Sequence, residues 1–371
     1  MKRKVVAALL IGSPILVQAA ALERTPQSTD FIFDKGNRVE AGISFVRPDI
    51  SGKALNPQTG KFDADTGSVA NNFNAYALQG KFQLNDALSL GLKYEQPFGI
   101  DVAYGDKAGV SAGLRAKATV HNLTALAAYK TPANITVFGG PAYQRLDGHA
   151  QVNVPVFGTY KLELPTDGAW GYVAGAAYEK PEIALRASLT YRSQIKYKGA
   201  ARESAGPLNS TNPIELKIPR SVNVNLQTGI APKTLLLAGV RWTDWSNFKI
   251  SPKAFGTVAK SDLVTYEKDS FQYSLGVGRQ LTDKLTGVVI GTYDTGAGSV
   301  ISPLGPTNRS YTLQLLGKYQ VNDNVDIGLG AQYKRYKDQE TTSKAMGRST
   351  VVGRFDGMNV WGVGARVGVK W

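Results

Sequence analysis

"VWGVGARVGVKW", residues 360–371, is the stretch whose reading decides the fold. Trp361, Val363, Ala365, Val367, Val369 and Trp371 fall on one parity, and Gly362, Gly364, Arg366, Gly368 and Lys370 on the other. An extended strand turns successive side chains to opposite faces, so the segment predicts a β-strand with one wholly apolar face and one of glycine and positive charge. A helix would scatter a period of two around its whole circumference. Gly362, Gly364 and Gly368 resemble a dinucleotide-binding glycine loop, but that loop must open a helix, and the sequence stops instead.

The alternation recurs upstream. In "IALRASLTYRSQIKY" (183–197), Ile183, Leu185, Ala187, Leu189, Tyr191, Ile195 and Tyr197 share one parity, opposite Arg186, Ser188, Thr190, Arg192, Gln194 and Lys196. A strand this long exceeds the usual five or six residues of a soluble sheet. Thirteen more strands are predicted at 37–47, 72–84, 88–97, 115–129, 134–146, 168–179, 214–229, 234–249, 263–280, 285–295, 308–321, 325–337 and 355–371. Short connections ("NDA", "TPAN", "EKPE", "APK", "TDK", "NDN") alternate with long loops, which describes an up-and-down meander. Fourteen long antiparallel strands with tight turns at one end predict an all-β fold, a transmembrane antiparallel β-barrel. Closure is compulsory in lipid, since an open edge leaves backbone groups without partners. From Trp361 to Trp371 is about 33 Å of strand, which a tilt near 40° projects onto roughly 25 Å, the height of a barrel's apolar band. The two tryptophans then stand one in each aromatic girdle, and Tyr191 and Tyr197 are expected to do the same on their strand. A secreted β-sandwich is the alternative, but its apolar faces need a second sheet to cover them.

The opening "MKRKVVAALLIGSPILVQAAA" has the charged start, short apolar run and small-residue end of a secretory signal peptide, so residues 1–20 are expected to be removed on export. Residues 21–36 are then a short N-terminal plug and 37–371 the barrel. No later segment offers the run of some 18 apolar residues that a membrane helix needs. Cysteine is absent, which excludes disulfides and thiolate metal sites. Lys and Arg number 43 against 29 Asp and Glu, a net +14 that falls to +11 without Lys2, Arg3 and Lys4. These charges are scattered rather than clustered, which argues against nucleic acid.

Two strands break the expected pattern of apolar outward and polar inward. "TLLLAGV" places Leu235, Leu236 and Leu237 on both faces, and "LTGVVIG" does so with Val288, Val289 and Ile290. Inward leucine exposed to water costs about 25 cal/mol per Å², so either a plug, a hydrophobic cargo or packing within the lumen covers it. Leu236 and Val289 are taken as the lumen contacts.

"SLTYRSQIKYKG" (188–199), "LKIPRSVNVNLQTGI" (216–230) and "VRWTDWSNFK" (240–249), with "VEAGISFVRPDISG" (39–52) and "YEQPFGIDVAYG" (94–105), resemble in content and order the blocks of FadL-type outer-membrane transporters of long-chain fatty acids and other hydrophobic compounds. The resemblance extends over most of the chain. It implies a monomeric fourteen-stranded barrel in the outer membrane of a Gram-negative bacterium, taking up hydrophobic compounds without energy, cofactor or metal, and releasing them sideways through a kink in the third strand. That kink, the lateral gate, maps to Gln96, Pro97, Phe98 and Gly99; an ordinary strand end at Pro97 is the alternative. "AYQR" resembles a segment bearing a lumen arginine, giving Arg145. "KDSFQYSLG" resembles one bearing a lumen lysine, giving Lys268. Either cation holds a cargo carboxylate or forms a structural ion pair. Arg145 shares parity with Val137 and Tyr143, so it points inward only if Gly139, Gly140 and Pro141 form a bulge. The family's plug is longer and carries an Asn-Pro-Ala motif that is absent here. Expected partners are hydrophobic small molecules, outer-membrane lipid and lipopolysaccharide, and the barrel-assembly machinery, which reads a terminal aromatic. The rival readings are a general porin and a barrel hydrolase; with only His121 and His149 in the chain, no catalytic pairing is legible.

Overall fold

The computed structural model describes residues 22–154, 158–164, 168–299, 301–345 and 348–371; the predicted signal segment 1–20 lies outside them. Fourteen antiparallel strands close into a barrel. In chain order they are β1 (Arg38–Asp49), β2 (Phe73–Gln83), β3 (Leu88–Ala103), β4 (Arg115–Lys130), β5 (Ile135–Val154), β6 (Gly168–Lys180), β7 (Leu185–Arg192), β8 (Ser221–Ala231), β9 (Thr234–Thr243), β10 (Ser270–Gln280), β11 (Leu285–Asp294), β12 (Ser310–Gln320), β13 (Val325–Tyr336) and β14 (Asn359–Lys370). β14 pairs with β1 from Arg38↔Lys370 to Asp49↔Asn359, so no edge is left at the closure. No helix among the described residues is long and apolar enough to cross a membrane; the crossing is made by strands.

The terminal strand lies as its alternation dictates. Trp361, Val363, Val367, Val369 and Trp371 are exposed on the outer face, while Gly362, Gly364, Arg366 and Gly368 are buried inward. Trp371 packs edge-on against Phe82 at 6.3 Å near the tight-turn end, and Trp361 against Tyr333 at 4.6 Å near the other. Inside the closure, Arg366 Nη1 reaches Glu40 at 2.6 Å and Asp326 at 3.1 Å, and Arg38 reaches Asp326 at 2.6 Å. These bonds join β1, β13 and β14 across the seam. The charges are buried and paired, the condition under which a low-dielectric interior tolerates them.

The predicted strands 183–197 and 214–229 are corrected by what lies between them. The stretch 183–197 breaks after Arg192, where Ser193 N donates to Tyr172 O at 3.0 Å and Ser193 Oγ accepts from Tyr172 N at 2.9 Å. The chain then leaves the barrel wall as a hairpin, Ile195–Ala205 with Leu208–Ile218, and β8 begins only at Ser221, not at 214. The break resets the parity: Tyr191 stays on the outer face, but Tyr197 is buried, its hydroxyl donating to Gln144 at 3.2 Å. Tyr197 is therefore not a girdle residue. Across the gap in sequence, β7 pairs directly with β8, Arg192↔Ser221 to Arg186↔Gln227. The strand count is unchanged because the hairpin is an excursion above the wall, where it also pairs with Gly158–Leu164.

Candidate functional site: a plugged lumen with a broken wall

Residues 22–37 run inside the barrel and are fastened at both ends. At the tight-turn end a single 3-10 turn, Asp30–Phe33, buries Phe31 and Ile32 against Leu126, Phe138 and Val173, inward residues of β4, β5 and β6. Gly91 permits this approach, because a Cβ there would lie 2.8 Å from Ile32 Cδ1 and 2.9 Å from Phe31. Fully burying two such side chains contributes about 1.5–3 kcal/mol each. Farther up, the barrel wall donates to the segment's backbone carbonyls: Lys93 to Ser28 at 2.8 Å, Arg192 to Gln27 at 2.6 Å and Asn223 to Pro26 at 3.0 Å. Thr25 donates to the buried Glu95 at 2.8 Å. Glu23, fully buried, is ion-paired with Arg241.

The wall beside the segment's upper end is discontinuous. The β2–β3 ladder runs from Gln83↔Ser89 only to Leu78↔Tyr94, although β2 stays paired with β1 up to Phe73. On its other side β3 gains one residue: Glu95 pairs with Asn122, but Phe98 pairs with Val120. Gln96 and Pro97 form this bulge, and Pro97 has no N–H to give to a ladder. Pairing with the β2 side resumes at Asn71 N→Asp101 O, 2.9 Å. The opening thus lies between Phe73–Ala77 and Glu95–Ile100, crossed by a bond from Tyr76 N to the Gln96 side chain at 3.3 Å. From the lumen side the N-terminal segment covers it as an extra short strand: Leu22 O accepts from Gly99 N at 2.8 Å, and Arg24 N donates to Pro97 O at 2.7 Å. The Arg24 guanidinium lies 4.1 Å over the Phe73 ring, and burial lowers its pKa to about 10.

Two cavities flank this point. The lower, about 270 Å³, lies in the lumen between the segment and the β8–β12 wall. Its β9–β12 side combines Leu237, Val288, Ile290 and Leu316 with Arg241 and Gln272, while the opposite side carries Asp30, Asp34, Glu40, Lys93, Glu95, Arg186 and Arg366. The upper, about 300 Å³, lies among the extracellular loops and is lined largely by apolar side chains such as Leu55, Leu114, Val152, Phe255, Leu263 and Val352. Trp245, fully buried, lies in a cluster with Phe98 (6.1 Å), Phe248 (5.4 Å) and Tyr266 (5.1 Å), where the loops meet the kinked strand. Burial pushes the Tyr266 phenol's pKa up, so it stays neutral.

A barrel wall broken at a proline bulge, with a lumen segment behind it, directs attention to known channels. The model of the outer membrane protein transport protein (OMPP1/FadL/TodX) family matches residues 18–297. The chain belongs to this family. It is a FadL/TodX outer-membrane β-barrel of a Gram-negative bacterium, and its family's members are channels for hydrophobic compounds rather than enzymes. Among solved structures, a Pseudomonas aeruginosa FadL homologue superposes with a TM-score of 0.76 at 16% identity, covering 92% of each chain. The Pseudomonas putida toluene transporter TodX gives 0.66 at 12%, covering 97% of this chain and all of its own. The Ralstonia pickettii toluene transporter TbuX gives 0.64 at 14%, covering 95% and 96%. At these identities the likeness is one of fold. No curated protein matches the chain by sequence.

Within this FadL/TodX barrel, four predicted lumen residues lie elsewhere. Arg145 is exposed on the outer face, because Gly139, Gly140 and Pro141 keep an unbroken register with Ala174, Val173 and Tyr172 and no bulge turns it inward. Lys268 is exposed in a loop; β10 starts at Ser270, not at 263, and Lys268 N donates to Ala297 O at 3.1 Å. Leu236 pairs with the outward Val277, and Val289 is 48% exposed on the same face. Their neighbours Leu235, Leu237, Val288 and Ile290 are the inward ones. His121 also faces outward, its Nδ1 bonded to the Tyr94 hydroxyl at 2.8 Å. The residues missed were Glu23, Arg24, Arg241 and Trp245; of these only Arg241 left a signal, the parity it shares with Leu235 and Leu237.

At the foot of the segment, burial and the neighbouring Glu40 carboxylate push Asp34 up to about 7, against the weaker pull of Arg38, Lys318 and Arg186. Arg38 lies 3.4 Å from Asp34 but is closer to Glu40 and Asp326. A carboxyl whose folded pKa is raised favours the docked state when protonated; that contribution is complete below about 4 and is lost as pH rises through 7. The segment should therefore resist protease from the periplasmic side better at pH 5 than at pH 8. Asp34→Asn should flatten this dependence, and an unchanged pH profile in that variant would assign it to another group.

Proposed function

We propose that this channel takes up long-chain fatty acids and related hydrophobic compounds by diffusion and releases them sideways into the membrane between β2 and β3. The observation that carries this reading is the wall opening at Phe73–Ala77 and Glu95–Ile100, which lies beside a lumen cavity with an apolar wall. In this route cargo collects in the loop cavity, passes the Trp245 cluster, rests against Leu237, Ile290 and Leu316, and leaves past Gln96, Pro97, Phe98 and Gly99 once residues 22–25 withdraw. Each step exchanges one apolar surface for another, so no input of energy is required. An axial route would take the cargo past Arg38, Glu40, Asp326 and Arg366, where apolar surface gains nothing. The alternative cargo is a monoaromatic hydrocarbon, favoured by structural neighbours that are toluene transporters and a monoaromatic hydrocarbon channel. Binding of oleate, toluene and a disaccharide to the detergent-solubilised barrel separates these readings: oleate should bind most tightly and the sugar not at all, whereas a sugar-permeable, oleate-indifferent protein would be a general porin.

The remaining partners belong to the same proposal. The barrel acts as a monomer in lipopolysaccharide and outer-membrane lipid, and Trp371 serves as the signal read by the assembly machinery. Removing Trp371 should lower the surface level of the protein while molecules that do insert transport normally; equal surface levels would contradict that role.

A further inference from the structure

The ion pair between Glu23 and Arg241 joins residues 218 positions apart. Three other inward arginines pair with carboxylates of the wall itself, Arg38 and Arg366 with Glu40 and Asp326 and Arg186 with Glu179, while Arg192 donates to the segment's Gln27 carbonyl. Arg241 differs, because the carboxylate it binds is carried on the upper end of the N-terminal segment that fills the lumen. The receptor around that carboxylate is built from the wall. Arg241 Nη1 is oriented by Asn223 Oδ1 at 2.5 Å, Gln272 Nε2 points at the second carboxylate oxygen at 3.4 Å, and the buried Arg241 Nε has no partner among the described residues. Directly below, Gly239 and then Leu237 follow on the same face of β9. They continue into an apolar wall through Gly276, which pairs with Leu237 and Ile290, and through Leu316. From Arg241 to Leu237 is four residues, about 13 Å of strand. A cation at one end of a cavity and an apolar wall at the other is the complement of a carboxylic acid with a hydrocarbon tail.

We propose that Arg241, with Asn223 and Gln272, is the carboxylate site of the lumen, and that Glu23 occupies it as an internal stand-in for the head group of an acidic cargo. This rests on the channel reading above and deepens it. Glu23 lies within the strip, Leu22–Thr25, that covers the wall opening, so an acid that takes Arg241 releases the cover from Pro97 and Gly99. A neutral hydrocarbon lies along Leu237 and Ile290 without competing for Arg241, and leaves the cover in place. Acidic cargo therefore opens its own exit.

Binding of oleate and of octadecene, a neutral chain of the same length, to the wild type, Glu23→Gln and the double variant Glu23→Gln with Arg241→Met tests this. Glu23→Gln should tighten oleate by about tenfold, near the lower end of what a charge-assisted bond supplies, and leave octadecene unchanged. Adding Arg241→Met should abolish the preference for the acid. Equal tightening of both ligands would mean that Glu23 merely holds the segment down, and no change in either would remove Arg241 from recognition; both results overturn the proposal. A wild type that binds neither ligand would instead refute the channel reading. Because the chain has no cysteine, Leu22→Cys provides a single thiol in a protein whose Glu23 and Arg241 are intact. Oleate should accelerate its maleimide labelling and octadecene should not, whereas identical rates with both would overturn the proposal even if the charge variants fail to fold.

Discussion

Deleting Pro97 should reduce uptake of hydrophobic cargo to the level of cells that lack the channel, while the barrel still folds and reaches the membrane. β3 carries one residue more than β4 between Glu95 and Phe98. Removing one restores one-to-one pairing, and Phe98 keeps its inward direction because the deletion cancels the parity change made by the bulge. β3 can then continue its ladder with β2 above Leu78↔Tyr94, where Tyr76 N exchanges its side-chain acceptor on Gln96 for a main-chain one. The variant should be at least as stable as the wild type, with heat-modifiable migration on gels as the check. Normal uptake by a well-assembled variant would move the exit away from the β2–β3 boundary.

Removing residues 22–34, with the export signal retained, should convert the protein from a nearly closed channel into an open pore whose single-channel conductance is higher by about tenfold or more. Eight-stranded barrels are filled by their own side chains and those of 16–18 strands hold water, so fourteen strands leave a lumen that needs filling. Here the filling is the segment: Phe31 and Ile32 at the foot, three wall-to-carbonyl bonds in the middle, and Glu23 at the top. The barrel survives without it because the seam bonds of Arg38, Arg366, Glu40 and Asp326 belong to the wall. Arg241 and Arg192 would then face water and stay charged, giving the pore a preference for anions. A truncated protein that remains closed would assign the barrier to the Trp245 cluster and the loops above it.

The barrel was legible because a period of two, read with short turns such as "NDA" and "NDN", reports which residues face out whenever one face is apolar and the other is not. Val360–Trp371 meets that condition fully. The same rule is silent where both parities are apolar, so alternation does not separate Leu236 and Val289 from Leu237 and Ile290; the pairing of Leu236 with the outward Val277 resolves the faces. The predicted strand ends at 197 and 263 fail for a related reason. The alternation of Ile183–Tyr197 runs on through a break at Ser193, and the residues before Ser270 alternate without belonging to β10, so Tyr197 and Lys268 were assigned to a wall they do not join. Arg145 needed a bulge that three small residues permit but do not impose. Glu23 and Arg24 could not be read at all, since residues 22–37 form almost no regular structure and their places are set by partners as distant as Arg241 and Gln272.

The most direct test of lateral exit is photo-crosslinking with a long-chain fatty acid bearing a terminal diazirine, applied to the protein in outer-membrane vesicles, with the adducts mapped by mass spectrometry. The account predicts adducts along the opening, at Phe73 to Ala77 and at Phe98 and Gly99, and their loss when Pro97 is deleted. Adducts confined to the tight-turn end of the lumen, at Asp34, Lys81 or Lys318, would show the cargo leaving along the barrel axis and would contradict it.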